Sequence, residues 1–508
     1  MELSTKHPLK PDVSFDGGDL DCGNGLLLLI RKHIDPMRRG QLLEIRSTEI
    51  SVDEDLPAWC RLTGNELVSK TKDGKQRSFL VCKGALGERV EAEAKPAAAA
   101  TAPAEPPIAM VRRRAPVAAP PVPPLAVMGV GSWPRPRWMI EAMHAHVEGR
   151  LDERAFAETA DDAVRLAVAA QERARADVVT DGEQRRDSYA SFVASRLDNC
   201  QLIPLVDLLP LVDDPEEFAA ELRALDVPAA DVRHPAVFGR LTRSRPLVAH
   251  EIDFLRTVST KPVKVALPGP YLLTRTMWME CISDRAYESR EALAEDVVRA
   301  LREEIADLVA AGAALIQLDE PVLSEVVFSG AKNKRSFMCG ALSESHGPEH
   351  ELGFARELVN AVIAEAPRER VALHVCRGNW TPDETVALAG SYAPLVDTLA
   401  AMRVGAYLLE MCTPRAGEME VLKALPADAR IGLGVVNQKH ATPEALDEVA
   451  GKIDRAIRLF GRERVLLHPD CGFATFADNP ICDASAAEAK LAVIAAAAAR
   501  MRERLHLH

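Results

Sequence analysis

Eight short apolar runs recur through the last three quarters of the chain, with long amphipathic stretches between them. The runs are LAVMGV (125–130), DVVTDG (177–182), VKVALPG (263–269), ALIQLD (314–319), VALHV (371–375), AYLLEM (406–411), IGLGVV (431–436) and VLLHPD (465–470). The intervening stretches, such as PEALDEVAGKIDRAIRLFG, repeat their apolar residues at the period of a helix. Eight strand–helix units in the segment 125–508 predict an α/β fold, a TIM (β/α)8 barrel with insertions. The remaining residues of the 508-residue chain call for at least one further domain.

A barrel of this type carries its chemistry at the C-terminal ends of its strands. Read in order, those ends offer Ser132, Glu183, Gly269-Pro270, Asp319-Glu320, His374 with Cys376, Glu410, Asn437 and Cys471. Residues two apart on a strand point to the same side, so His374 and Cys376 face one spot. His374, Cys376, Glu410 and Cys471 together form an N, S, O, S donor set of the kind zinc accepts. Their wide spacing excludes a zinc finger, whose ligands come in close pairs. Each residue alone fits a polar side chain buried in a core, but four at matching strand ends point to a catalytic metal. Coordination to zinc deprotonates a thiol and would present it to an electrophilic carbon. Four protein ligands leave no open position, so the shell must expand or release a ligand when substrate binds.

The formal net charge of -13 argues against a nucleic-acid or anionic-membrane partner. The opening residues MELSTKHPLKPD contain no apolar core of a secretory signal, and no apolar run approaches the length of a membrane span. The ten cysteines include no CxxC pair, which fits a reducing cytoplasm better than a disulfide framework.

Residues 85–124 hold 13 Ala and 9 Pro, a composition that predicts a partly extended linker between a small unit and the barrel. The small unit (1–84) reads strand, helix, strand, helix, hairpin from about residue 14, a two-layer α+β sandwich. Cys22 opens its first helix, and Cys60 falls within the second as a core residue. The terminal His506 and His508 read as a frayed polar tail.

The large unit resembles the catalytic half of cobalamin-independent methionine synthase. The motifs that carry the likeness are VGSWP (130–134), DGE (181–183), GP (269–270), QLDEPVLSE (317–325), HVC (374–376), LLEM (408–411) and HPDCGF (468–473). The resemblance implies that His374, Cys376, Glu410 and Cys471 are zinc ligands, and that Ser132, Glu183 and Asp319 hold the amino-acid end of homocysteine. Glu325 matches a residue on the methyl-donor side. Two features depart from the family. Its second, N-terminal barrel is missing here, which puts the usual folate donor in doubt. Its catalytic histidine after the seventh strand is replaced by Lys439, with His440 beside it and Asn437 two residues before. A long insertion (326–350) follows the fourth strand on the active-site side, where it would form a lid or a substrate-specific wall.

The small unit is similar to the TusA-like sulfur-carrier family through LDCGNGLLLLIRK (20–32), GQLLEI (40–45) and DLPAWCRLTGNELV (55–68). Members of that family hold a persulfide on a cysteine in a Cys-Pro-x-Pro turn, where a helix N-terminus lowers the thiol pKa. Here the turn is CGNG, without either proline. The alternatives for the small unit are a sulfur carrier on Cys22 or a docking domain.

These readings predict a cytoplasmic zinc-dependent S-methyltransferase acting on a small-molecule thiol and a methyl donor, with sulfur-transfer proteins as partners of the small unit. The alternatives are an alkyl or thiol transferase acting on another small sulfur compound or an epoxide, and a non-catalytic sulfur-relay protein. A porphyrinogen-decarboxylase-like activity on a related barrel needs no zinc, so the four donor residues count against it.

Overall fold

A computed structural model describes residues 6–89, 117–211, 215–224, 233–279, 283, 286–328, 346–379 and 381–507. The core of the predicted linker (90–116), most of the insertion after the fourth barrel strand (329–345) and His508 lie outside the described residues.

The small unit has four strands, β1 (Val13–Asp16), β2 (Leu42–Ser47), β3 (Glu66–Asp73) and β4 (Gln76–Cys82), in the order β1-β2-β4-β3. The β1–β2 pair is parallel, so a crossover must join them, and the helix Leu27–Ile34 supplies it. The other two pairs are antiparallel, and the predicted strand–helix–strand–helix–hairpin order is the one found. Leu28, Ile30 and Ile34 from the first helix and Val52, Leu56 and Cys60 from the second fill the core against the sheet.

A hairpin follows, made of β5 (Asp198–Pro204) and β6 (Arg233–Thr242). Sequence reading missed it, because DNCQLIP lacks the β-branched alternation that marks a strand. Six parallel strands then form a continuous sheet: β7 (Lys264–Pro268), β8 (Leu315–Asp319), β9 (Val371–Val375), β10 (Ala406–Leu409), β11 (Arg430–Val436) and β12 (Val465–Pro469). The two earliest predicted barrel strands close the ring through single parallel bridges. Val127 pairs with Leu467, Met128 with Val178, and Val179 with Val263. The eightfold ring is therefore complete, with two of its staves reduced to short contacts. One side chain helps hold this seam: Asp177 Oδ2 accepts from the Val127 N–H at 2.8 Å and from Arg502 Nη2 at 2.5 Å.

Three findings modify the domain reading. The C-terminal end of the predicted linker lies along the barrel, where Arg430 donates to the carbonyls of Val122 and Pro123 and Val117 N–H donates to the Ala310 carbonyl. Its N-terminal end belongs to the small unit, with Arg39 paired to Glu88 and Arg89 to Asp12. The third concerns the small unit itself, which the sequence sets apart from the barrel by a partly extended linker. It is docked on the β5–β6 hairpin instead. Leu26, Leu29 and Trp59 share one apolar cluster with Ile203, Leu205 and Phe476. Arg31 Nε donates to Asp207 Oδ2 at 2.7 Å, and Gln201 Nε2 to the Arg31 carbonyl at 3.0 Å. A chain pattern can mark a linker as flexible, but it does not reveal which apolar faces meet across it.

Candidate active site at the barrel mouth

The strand ends meet in one pocket. Ser132, Glu183, Asp319, His374, Cys376 and Cys471 all line it. Short polar turns after apolar strands put them there: β8 ends on Asp319, while Cys376 and Cys471 stand one and two residues past the ends of β9 and β12.

One donor atom each from His374, Cys376 and Cys471 lie within 4.8 Å of one another. All three side chains are buried. His374 Nδ1 stands 2.8 Å from Asp319 Oδ1, while its Nε2 is buried with no hydrogen-bond partner among the described residues. Buried ring nitrogens are seldom left bare. An imidazole with one nitrogen held by a carboxylate and the other bare beside two thiols is the arrangement of a metal ligand with its supporting carboxylate. The residues therefore fit zinc, which takes sulfur and imidazole donors.

The two thiols form a coupled pair. A hydrogen bond from Cys471 lowers Cys376 to about 7 against the opposing effect of burial, and His374 adds to the lowering. The same hydrogen bond and burial push Cys471 well up. Burial pulls His374 down, but its bond to Asp319 and the Cys376 thiol outweigh that and raise it. This is the electrostatic signature of one thiolate stabilised by its neighbours.

Glu410, expected as a fourth ligand, is not in this group. Its Oε2 accepts from the Arg377 N–H at 3.1 Å and from Asn379 Nδ2 at 2.6 Å, and its Oε1 accepts from Arg415. An arginine and an amide thus already hold the carboxylate that the sequence pattern assigned to metal. Its charge still acts on both thiols, opposing the lowering of Cys376 and adding to the rise of Cys471.

Glu183 faces the same pocket from a left-handed backbone, at φ 55°. That conformation is uncommon for a non-glycine residue and concentrates at functional sites. Arg135 holds the turn by donating to the Glu183 and Arg186 carbonyls, both at 2.6 Å. Gly131 is required opposite it, since a Cβ there would lie 2.1 Å from Glu183 Oε1. Burial raises the Glu183 carboxyl to about 7, with Arg186 opposing and Asp319 adding to the rise. A carboxyl raised in the folded state disfavours folding once it is ionised. The destabilisation is absent below the ordinary value of 4.5, grows as pH rises to about 7 and stays constant above. Glu183→Gln is therefore expected to stabilise the ligand-free protein at about pH 8 by an amount on the order of 3 kcal/mol, and to change little at about pH 4. Urea denaturation at both pH values measures this, and equal midpoints for the two proteins at the higher pH would refute it.

The other predicted residues fall outside the pocket lining. Glu325 sits on the helix Val322–Phe328, 4.0 Å from Arg275. Lys439 is buried, with Nζ donating to the Asp383 carbonyl at 3.1 Å, whereas His440 is exposed. Burial lowers Lys439, and Arg415 adds to the effect. Cys22 is buried in the small unit's apolar cluster. Burial, then Asp55 and Asp21, push its thiol up to about 12, the reverse of the lowering expected at a helix start. The turn Cys22–Leu26 is wound as a π-helix, not as a first α-turn with free N–H groups. Sequence reading missed Gln317 and Lys264. Gln317 lies two residues before Asp319 on one strand, and Lys264 is a lone cation in the apolar run VKVALP, so both signals were present.

The fold and this pocket define a (β/α)8 enzyme with a thiol- and imidazole-lined centre at the strand ends. A family model described as "Cobalamin-independent synthase, Catalytic domain" matches residues 223–498. The chain belongs to that family and is a methionine synthase-like methyltransferase. It is 26% identical over 352 residues to the methionine synthase of Saccharolobus solfataricus, covering 69% of this chain and 89% of that protein. The methionine synthase of Sulfurisphaera tokodaii is 28% identical over 353 residues, covering 69% of this chain and 86% of that one. In fold, the chain is similar to a B12-independent methionine synthase from Shewanella sp. W3-18-1 in complex with selenomethionine, at TM-score 0.57 and 22% identity. That match covers 76% of this chain and 100% of the other.

Proposed function

We propose that the barrel transfers a methyl group to the sulfur of a homocysteine-like thiol at a zinc centre held by His374, Cys376 and Cys471. The observation that carries this is the grouping of His374 with two buried thiols, together with a buried His374 Nε2 that has no partner among the described residues. Zinc, when bound, supplies a Lewis acid that keeps a coordinated thiol deprotonated near neutral pH. Glu183 and Asp319 place two carboxylates on the pocket wall, suited to an amino acid's ammonium group, and Ser132 offers a hydroxyl beside them. A thiol anchored at both ends is oriented for in-line attack on a methyl carbon, which is where positioning lowers the barrier. The sulfur leaves with the methyl group as a thioether, and the donor departs with the bonding pair; a folate-type nitrogen donor then takes a proton, whereas a sulfonium or corrinoid donor takes none. We assign that proton to Lys439, whose ammonium feels the charge of Cys471.

The small unit supports a TusA-like reading in its strand and helix order. The burial of Cys22 means that it could carry sulfur only after the unit leaves the hairpin. We assign it docking as its first role and sulfur-transfer proteins as the partners to test. Among the described residues all eight cysteines are free thiols, which supports a reducing cytoplasmic setting, and no helix is long and apolar enough to cross a membrane.

The test is a turnover screen of the zinc-loaded full chain. Homocysteine, sulfide and small thiols are paired with folate, corrinoid and sulfonium methyl donors, with and without a persulfide donor. Methylated homocysteine is the expected product with at least one donor. Methylation of other thiols but never of homocysteine would replace the acceptor, and no methyl transfer with any pair would sink the reading. Persulfide on Cys22 by mass spectrometry, with turnover lost in Cys22→Ala, would make the small unit a carrier. No added sulfur and unchanged turnover would leave it a docking domain.

A further inference from the structure

From Asp319 and His374 at the pocket, a line of buried polar groups runs on to two residues that the proposed reaction does not itself use, Gln317 and Lys264. Lys264 on β7 is 1% exposed, and its Nζ donates to Gln317 Oε1 at 2.6 Å and to the Val130 carbonyl at 2.5 Å. Gln317 Nε2 donates to Asp319 Oδ1 at 2.6 Å, and the same oxygen is 2.8 Å from His374 Nδ1.

The direction of every bond in this line follows from its first member. Lys264 Nζ donates to both of its partners, so the oxygen of the Gln317 amide faces it. The other end of the amide, its NH2, then faces Asp319. Asp319 Oδ1 therefore receives one N–H already. An acceptor at that point selects the His374 tautomer with the proton on Nδ1. The lone pair is left on Nε2, the buried atom that has no partner among the described residues. Reversing any link would put the proton on the wrong nitrogen.

We propose that Lys264 and Gln317 are positioning residues: through Asp319 they fix His374 as its Nδ1–H tautomer and so present Nε2 to the metal. This rests on the zinc reading of the site. The relay also ties the metal ligand to the substrate side of the pocket, because Asp319 serves both.

The test uses the full chain and two readouts that do not depend on turnover. Zinc affinity is measured by competition with a chromophoric chelator, and the tautomer by the ¹⁵N imidazole spectrum of metal-free protein, recorded on the alkaline side of the ring's observed titration. Gln317→Glu keeps the side chain's shape and its bond to Lys264 but has no N–H for Asp319. It is expected to weaken zinc about 10- to 100-fold and to move the His374 proton partly to Nε2. A role in packing alone predicts no change in this near-isosteric variant. Gln317→Met provides a second variant should a buried charge disturb folding, with the same two outcomes expected. Wild-type spectra showing Nε2–H, or a zinc affinity within about twofold of wild type in both folded variants, would overturn the relay. If wild type takes up no zinc at all, the metal reading fails, and the tautomer shift alone still decides the relay.

Discussion

Cys376→Ser is expected to leave a folded barrel that no longer retains zinc and no longer turns over. Cys376 lies one residue beyond the end of β9, with its sulfur aimed at the pocket, so the change removes no apolar side chain from the strand core. Serine is close in shape, and the cost to stability should stay near 1 kcal/mol, as for a substitution without a cavity. The effect on metal is of another order. The Cys376 thiol sits at about 7, because Cys471 donates to it and His374 lies beside it, so it supplies a thiolate near neutral pH. A serine hydroxyl does not ionise there and offers zinc a weak neutral oxygen. Zinc content measured after dialysis should fall from about one per chain to under about a tenth, and methyl transfer should fall with it. Cys471→Ser should behave alike. Full zinc in the double variant would remove the His374–Cys376–Cys471 centre from consideration. Glu410→Gln discriminates further. Arg377, Asn379 and Arg415 already occupy that carboxylate, so this variant should keep its metal. Metal loss equal to that of the cysteine variants would restore Glu410 as a ligand.

Why were the strand ends readable from the chain while their surroundings were not? The period of two on a strand places His374 and Cys376 on one side whatever surrounds them. The barrel topology then brings distant strand ends such as Asp319 and Cys471 to the same mouth. Those are local rules combined with one global one. Other features depend on which surfaces happen to meet. Glu410 reads as a ligand from its place after β10; Arg415 and Asn379 donate to the same carboxylate, and nothing in either position announces that contact. Cys22 at a helix start leaves a sulfur carrier and a docking domain both open, and the cluster it joins with residues such as Leu205 and Phe476 buries a thiol that burial, Asp55 and Asp21 push up. Lys264 is the instructive middle case. A lone cation in an apolar strand signals a buried partner, but the chain alone does not say that the partner is Gln317.

Lys439→Met is expected to reduce turnover by roughly 10²- to 10⁴-fold, the range a positioned general acid contributes, while zinc content stays at the wild-type value. Lys439 and His440 are neighbours on one turn after β11, and the turn sends them opposite ways. Lys439 is 4% exposed, and the Asn437 side chain pins its backbone by accepting from the Lys439 N–H at 2.9 Å. Its ammonium reaches the Asp383 carbonyl at 3.1 Å. Burial and the nearby Arg415 lower its pKa, while Glu384, Glu410 and Cys471 pull it back up. The lowering makes the proton easier to surrender to a departing donor, and the Cys471 influence places the ammonium within electrostatic reach of the metal centre. His440 is exposed, so His440→Ala should leave turnover within about twofold of wild type. The pH dependence sets the acid apart from a mere counter-charge. An acid must hold its proton, so activity should fall as pH rises through the lowered lysine pKa, and Lys439→Met should lose that alkaline limb. Lys439→Arg keeps the charge but cannot release a proton near neutral pH, so it should be nearly as slow as the methionine variant. Full activity in Lys439→Arg would make the residue an electrostatic anchor for the donor, and a normal rate in Lys439→Met would leave the leaving group to take its proton from water.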